Sequence, residues 1–184
     1  MTDQTETITL YHGSIHLFES IDVTKGKPLK DFGTGFYTTR DINHAENLAK
    51  RNLRFEKDRL SELGSPTDIK MWLYSYKFDI KEAAELSVKI FPTADTEWIK
   101  FIVENRTKRE RTHNFDIVIG PTADDNTRAT IRTVINAAQS GVLNDRELSA
   151  LALLIEPDRL PTQYFFGTNR GAALLHFSDR REIV

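Results

Sequence analysis

A chain of 184 residues is long enough for one domain with a sizeable core, and 39% hydrophobic against 28% charged residues is the usage of a folded globular protein rather than a disordered one. A formal net charge of −2 excludes a general electrostatic pull toward nucleic acid or an anionic membrane. The chain holds no cysteine, which rules out a disulfide framework and a thiolate metal site and suits a cytoplasmic protein.

The polar, acidic start lacks the basic end and apolar run of a signal peptide, and no apolar stretch is long enough to span a bilayer, so the reading is a soluble intracellular protein. Ile8 to Tyr11 predicts a short first strand, followed by the polar, backbone-permissive His12-Gly13-Ser14. A polar loop with Gly26 and Pro28 leads to Asp31-Phe-Gly-Thr-Gly-Phe-Tyr-Thr-Thr39. There Gly33 and Gly35 flank a turn, and Phe36 to Thr39 is aromatic and β-branched, hence a strand. Asp41 stands where a helix N-cap belongs, before a helix to about Leu60 with Ala45, Leu48, Ala49, Asn52 and Phe55 at helical spacing, stopped by Gly64-Ser-Pro66.

Ile69 to Phe78 alternates as a strand with one buried face. Residues 85–91 are ambiguous: the alanines favour helix, while Leu86, Val88 and Ile90 alternate like a strand. Thr96 to Asn105 predicts an amphipathic helix with Trp98, Ile99, Ile102 and Val103 on one face. The basic run Arg106, Lys108, Arg109 and Arg111 reads as a solvated helix end or loop. Phe115 to Ile119 is a strand stopped by Gly120-Pro121; a helix runs from Asn126 or Thr127 to about Ala138, ended by Gly141; Asn144 caps another through Ile155. Gln163 to Phe166 is a strand, and Ala172 to Phe177 is a helix or a strand. Strands and helices without regular βαβ alternation predict an α+β class, in one domain over residues 1–184 with no repeat or linker.

The chemistry concentrates in His12-Gly13-Ser14 and in Gly33-Thr-Gly-Phe-Tyr-Thr-Thr39. Glycine allows a planar ligand to approach the backbone closely. Phe36 and Tyr37 alternate to opposite faces of their strand, with Phe36 assigned to the core. Gly33-Thr-Gly35 lacks the Lys-Ser/Thr of a P-loop and the third glycine of a dinucleotide fingerprint. Asp124 and Asp125 have the chemistry to bind Mg²⁺, but as carboxylates just before a predicted helix start they read more simply as helix-capping groups.

His-Gly-Ser followed by Phe-Gly-Thr-Gly-Phe-Tyr and a helix containing alanine resembles the NAD-binding half of ADP-ribosyltransferases, in the branch that includes the poly(ADP-ribose) polymerases. Trp98 to Arg106, Phe115 to Asp125 and Thr162 to Phe166 resemble a bacterial domain family placed among ADP-ribosyltransferase-like proteins. The resemblance implies two facing β-sheets flanked by helices, with NAD as co-substrate and no metal. His12 would donate to a ribose hydroxyl, Gly13 would grip the nicotinamide carboxamide, and Ser14 would add a hydroxyl contact. Tyr37 would stack on the cationic nicotinamide ring, an attraction on the order of 1 kcal/mol or more when desolvated, with Gly35 and Thr38 beside it.

Many such enzymes carry a glutamate at the start of a late strand; here Gln163 takes that place, able to accept a ribose hydroxyl but uncharged and no base. Glu156 and Glu182 are alternatives away from a predicted strand start. The implied activity is mono-ADP-ribosyl transfer from NAD to a protein or nucleic-acid acceptor. NAD hydrolysis, or an inactive module that binds NAD or ADP-ribose, is the alternative. A toxin or effector role with a neutralising antitoxin partner follows only from the use of related bacterial domains.

Overall fold

The computed structural model describes residues 7–65, 68–123 and 160–184, together with positions 133, 136, 137, 144, 146, 147 and 150. Among these residues are seven strands and three helices in a mixed α+β arrangement, as the sequence pattern predicts. Two compact units share the chain. The first takes in described residues of 1–21, 38–84 and 173–184, and the second those of 22–37 and 85–172.

In the first unit the strand order is β2 (Phe36–Thr39), β1 (Ile8–Ser14), β3 (Met71–Phe78) and β7 (His176–Ile183), all antiparallel. Strand β1 outlasts the predicted Ile8–Tyr11 because β3 supplies a partner for every residue, from Ile8 opposite Phe78 to Ser14 opposite Trp72. His12 and Gly13 therefore lie within a ladder, not after it, opposite Tyr74 and Leu73. Tyr11 pairs with Thr39 of β2, and β7 pairs along β3 with a bulge between Ser75 and Tyr76.

Helix α1 (Ile42–Glu62) starts where its cap predicts: the N–H groups of Asn43 and His44 donate to the Asp41 carboxylate at 2.9 and 3.2 Å. Ala45 and Ala49 are its buried residues, packed with Leu73 and Ile183, while Ile42, Tyr11 and Met71 flank them. Phe55, which continues the helical spacing of Ala45 and Ala49, is 57% exposed, because the buried contacts come from the first two turns. Small side chains there bring the helix backbone down onto β1. A Cβ on Gly13 would meet the Ala45 carbonyl oxygen at 1.9 Å, so the glycine is required by packing.

In the second unit β4 (Val88–Ile90) runs parallel to β5 (Ile117–Pro121), and β5 runs antiparallel to β6 (Thr162–Phe166). The ambiguous segment 85–91 thus contains a strand, decided by the ladder Val88–Ile117 to Ile90–Ile119. Contrary to the predicted stop, β5 continues through Gly120-Pro121. Pro121 ends the strand opposite Thr162, and its carbonyl accepts from Trp98 Nε1 at 3.0 Å. Helix α2 (Thr96–Thr107), capped by Asp95, buries Trp98, Ile99 and Ile102 as predicted; Val103 is only partly buried, and Asn105 is buried instead. Around α2 gather Phe32, Phe91, Val118, Ala123 and Phe165.

The predicted Ala172–Phe177 segment is neither one helix nor one strand: Ala172 ends helix α3 (Asn169–Ala172), a turn follows at 173–174, and His176 starts β7. Asn144 caps as expected: Arg146 and Glu147 N–H donate to its Oδ1, and its own N–H donates to Glu147. Positions 133, 136, 137, 146, 147 and 150 are helical, and the rest of that helix and of the predicted helix near 126–138, with Asp124, Asp125 and Glu156, lies outside the described residues. Among the described residues no helix is long and apolar enough to cross a membrane.

Replacing Gly13 by Ala forces α1 off β1. The expected loss is about 1–3 kcal/mol or more, as for an overpacked core, against about 1 kcal/mol for the cap variant Asp41→Ala. Denaturant melts of the two variants check that order; an unperturbed Gly13→Ala would mean that α1 does not rest on β1.

Candidate functional site

Alternation along β1 sends His12 to the face opposite Gly13. Its ring lies 5.9 Å edge-on from Phe18 and 6.3 Å from Tyr74, and Phe18 stacks on Tyr74 at 4.0 Å. The Tyr74 hydroxyl accepts from Phe18 N–H at 2.8 Å and lies 3.3 Å from the carbonyls of His16 and Phe18. Ser14 is buried, and its Oγ accepts from His16 N–H at 3.0 Å, so the hydroxyl oxygen assigned to a ligand already shapes the turn. Arg180 ties the same segment down through Glu19 at 3.0 Å. The segment after β1 is therefore pinned beside His12 by Tyr74, a residue that sequence reading left as an ordinary strand aromatic.

Thr38 and Thr39 are both buried, and Thr39 Oγ1 accepts from Asp41 N–H at 3.2 Å, joining the strand end to the helix cap. The Tyr11–Thr39 pairing sets His12 and Thr38 next along neighbouring antiparallel strands.

The second unit holds Gly35, Tyr37 and Gln163, and Asp31 of the same unit bonds the last of them. Asp31 is buried, with both carboxylate oxygens engaged. Arg106 Nε donates to Oδ1 at 2.8 Å and its Nη2 donates to the same atom, while Ala123 N–H at 3.0 Å and Gln163 Nε2 at 2.8 Å donate to Oδ2. Gln163 Nε2 also donates to the Pro121 carbonyl at 3.2 Å. A carboxylate and a carbonyl at one end of the amide settle which end is NH₂. Oε1 is the acceptor left over.

Tyr37 packs its ring 5.0 Å from Phe165, against the core around α2. Its hydroxyl donates to the Gly33 carbonyl at 2.7 Å and accepts from Phe32 N–H at 3.0 Å, closing the turn in which Gly33 takes φ +83°. Burial, then the Asp31 charge, pushes the Tyr37 phenol well above its ordinary value, so it remains a donor. Phe36 is buried as assigned. A Cβ on Gly35 would stand 2.3 Å from the Phe165 ring, so this glycine too is needed for packing.

The basic run is the expected solvated helix end and loop at Lys108 and Arg109, but not at Arg106 and Arg111. Arg106 holds Asp31, and Arg111 donates to the Gly167 carbonyl, while Lys108 makes an exposed pair with Glu104 at 2.8 Å. The reason is the buried carboxylate, which demands a cation from a helix end that sequence alone leaves facing water. Glu182 lies on β7, paired with Lys70 at 2.8 Å. Among the described residues no group of three or more His, Asp or Glu could hold a metal.

His113 stands between two fixed partners: its Nε2 meets the Phe32 carbonyl at 2.9 Å, and Phe115 N–H donates to its Nδ1 at 3.2 Å. That pattern needs the neutral ring with its proton on Nε2. Burial holds the imidazole below its ordinary value; the Phe32 carbonyl opposes the shift, and Arg111 adds to it. The native state thus binds fewer protons here than the unfolded chain. The stability contributed is complete above about pH 6.5 and falls as pH drops through the lower native value.

Acidification from pH 7 toward 5 is expected to lower the melting temperature of wild type more than that of His113→Gln; parallel curves would remove His113 as the cause. Tyr37→Phe leaves Phe32 N–H and the Gly33 carbonyl unpaired and is expected to cost about 1–3 kcal/mol in denaturant melts.

Comparison with curated proteins finds no match, and comparison with solved structures finds none. A family model described as "Protein of unknown function (DUF3990)" matches residues 8–177. That match covers nearly the whole chain, which therefore belongs to the DUF3990 family.

Proposed function

We propose that the protein binds NAD⁺, breaks its nicotinamide–ribose bond and transfers ADP-ribose to a protein or nucleic-acid acceptor, on an α+β fold of the ADP-ribosyltransferase-like type. One observation supports this reading most: the His12-Gly13 strand and the strand ending in Thr38-Thr39 pair as antiparallel neighbours through Tyr11 and Thr39. The two stretches that carry the resemblance thus stand on adjacent strands.

His12 donates to a ribose hydroxyl, with its ring steadied by Phe18 and Tyr74. Gly13 meets the carboxamide through its backbone, and Ser14 and Thr38 lie next to them on the two strands. Tyr37 uses only its ring for nicotinamide, since the hydroxyl is engaged with Gly33 and Phe32. Gln163 accepts a ribose hydroxyl at Oε1. Bond cleavage develops oxocarbenium character at the ribose, so positioning and electrostatics supply the catalysis. Use as a cytoplasmic toxin or effector, neutralised by a partner, would be one setting for such an activity.

A second reading is an NAD- or ADP-ribose-binding module without transfer. The observation that favours it is the uncharged Gln163, whose amide nitrogen is already committed to Asp31 and Pro121. Hydrolysis, with water as acceptor, is the enzymatic variant of the same site.

The purified protein is expected to gain thermal stability from NAD⁺ and to release nicotinamide in single turnover, with mass spectrometry of added cell extract showing ADP-ribose on an acceptor. His12→Ala is expected to fold, to lose the thermal shift and to slow release about tenfold or more. Binding without release identifies the module; neither binding nor release sinks both readings.

A further inference from the structure

We infer that Asp31 is a positioning residue: it turns the Gln163 amide so that Oε1 is presented as the acceptor for a ligand hydroxyl, and it is the reason that position 163 works as glutamine and not as glutamate. Identifying that hydroxyl as a ribose hydroxyl of NAD⁺ rests on the proposed function.

Asp31 lies 132 residues from Gln163 in sequence, yet its Oδ2 is 2.8 Å from Nε2. The carboxylate cannot turn away, because Arg106 takes Oδ1 through two nitrogens and Ala123 N–H shares Oδ2. The amide cannot flip either: Oε1 in place of Nε2 would face the Asp31 carboxylate and the Pro121 carbonyl, two acceptors with no proton between them. Orientation is therefore built by neighbours that do not touch the ligand.

A glutamate side chain in this place meets the same two acceptors. An ionised carboxylate oxygen at the Nε2 position would stand 2.8 Å from Asp31 Oδ2 and 3.2 Å from the Pro121 carbonyl, in a site where both side chains are buried. The arginine beside Asp31 has its charge already opposed by that carboxylate. The folded state would accept that second carboxyl group only with a proton on it, as two carboxylates sharing one site cannot both ionise. The departure from the glutamate of the resembled transferases is thus coupled to Asp31, and the neutral amide is the form this site accommodates.

The test compares wild type, Asp31→Asn, Gln163→Ala, Gln163→Glu and the exchanged pair Asp31→Asn/Gln163→Glu by thermal unfolding and by single-turnover nicotinamide release at saturating NAD⁺. Gln163→Glu is expected to melt below wild type at pH 7. Its native carboxyl titrates above the unfolded value, so stability returns as pH is lowered toward about 4. The exchanged pair, with an amide at 31 facing a carboxylate at 163, is expected to be less destabilised than the two single changes predict together. Asp31→Asn is expected to slow release about tenfold with affinity for NAD⁺ nearly kept, and adding Gln163→Ala to it is expected to slow release no further, because Asp31 acts through Gln163. If Asp31→Asn does not fold, the pH dependence of Gln163→Glu decides. A Gln163→Glu variant as stable as wild type at pH 7, or fully additive effects at the two positions, would overturn the inference. Coupled stabilities with no nicotinamide release from wild type would leave the orientation standing and defeat the NAD⁺ reaction instead.

Discussion

A carboxylate taken out of water costs several kcal/mol unless donors replace its hydration, and Asp31 is where this protein meets that demand. Four donor atoms from three distant parts of the chain converge on it: two on Arg106 at the end of α2, the Ala123 amide just after β5, and the Gln163 amide on β6. Each donor is held by something else. Arg106 rides on a helix anchored by Trp98 and Ile102, and Gln163 sits in a ladder with Gly120 opposite it. Removing Arg106 leaves an uncompensated buried charge, for which about 3–5 kcal/mol is usual when a buried pair is broken, while losing a neutral donor costs about 1–3 kcal/mol. The same node fixes the glycine turn that follows, since Asp31 directly precedes Phe32 and Gly33, whose backbone groups bond to the Tyr37 hydroxyl.

The other half of the candidate chemistry depends on backbone proximity instead of charge. Ala45 and Ala49 have side chains small enough for α1 to rest on β1, and Gly13 has none to obstruct it. This closes one face of β1 and leaves the other to His12, Phe18 and Tyr74. Glycine next to the candidate ligand histidine therefore has two reasons to be there, and the packing reason stands whether or not NAD⁺ binds. Tyr37 is in the same position. Its hydroxyl closes a turn and its ring joins a core cluster, so loss of function on removing it would not by itself argue for a ligand contact. At His12 the ring is the part offered to a ligand, and it lies edge-on to Phe18 and tilted to Tyr74.

Local signals determined a good deal. Asp41 before an amphipathic run, Asp95 before Trp98, and the Asn144–Glu147 capping box are all chemical statements within four residues, and helices start at each of them. The aromatic, β-branched runs Phe36–Thr39 and Thr162–Phe166 are strands for the same local reason. The α+β class follows from the order of these elements, and the two strands joined by a polar loop were legible in the His-Gly and Tyr-Thr-Thr stretches, whereas their pairing through Tyr11 and Thr39 was not.

Tertiary structure decided whatever depended on a partner far along the chain. His12, Gly13 and Ser14 extend β1 only because β3 offers partners far away in sequence, at Tyr74, Leu73 and Trp72. Segment 85–91 is a strand because β5 lies beside it, and Phe55 is exposed because the buried part of α1 ends sooner than its periodicity does. Arg106 looks like any cation at a helix end until Asp31 is seen to be buried beneath it. Gln163 likewise reads as a lone polar residue at a strand start, and only the carboxylate and carbonyl brought to its amide nitrogen give it a direction. Caps and strand propensities act over a few residues, whereas burial and long-range hydrogen bonds exist only once the chain has folded, and the candidate chemistry of this protein depends on the latter.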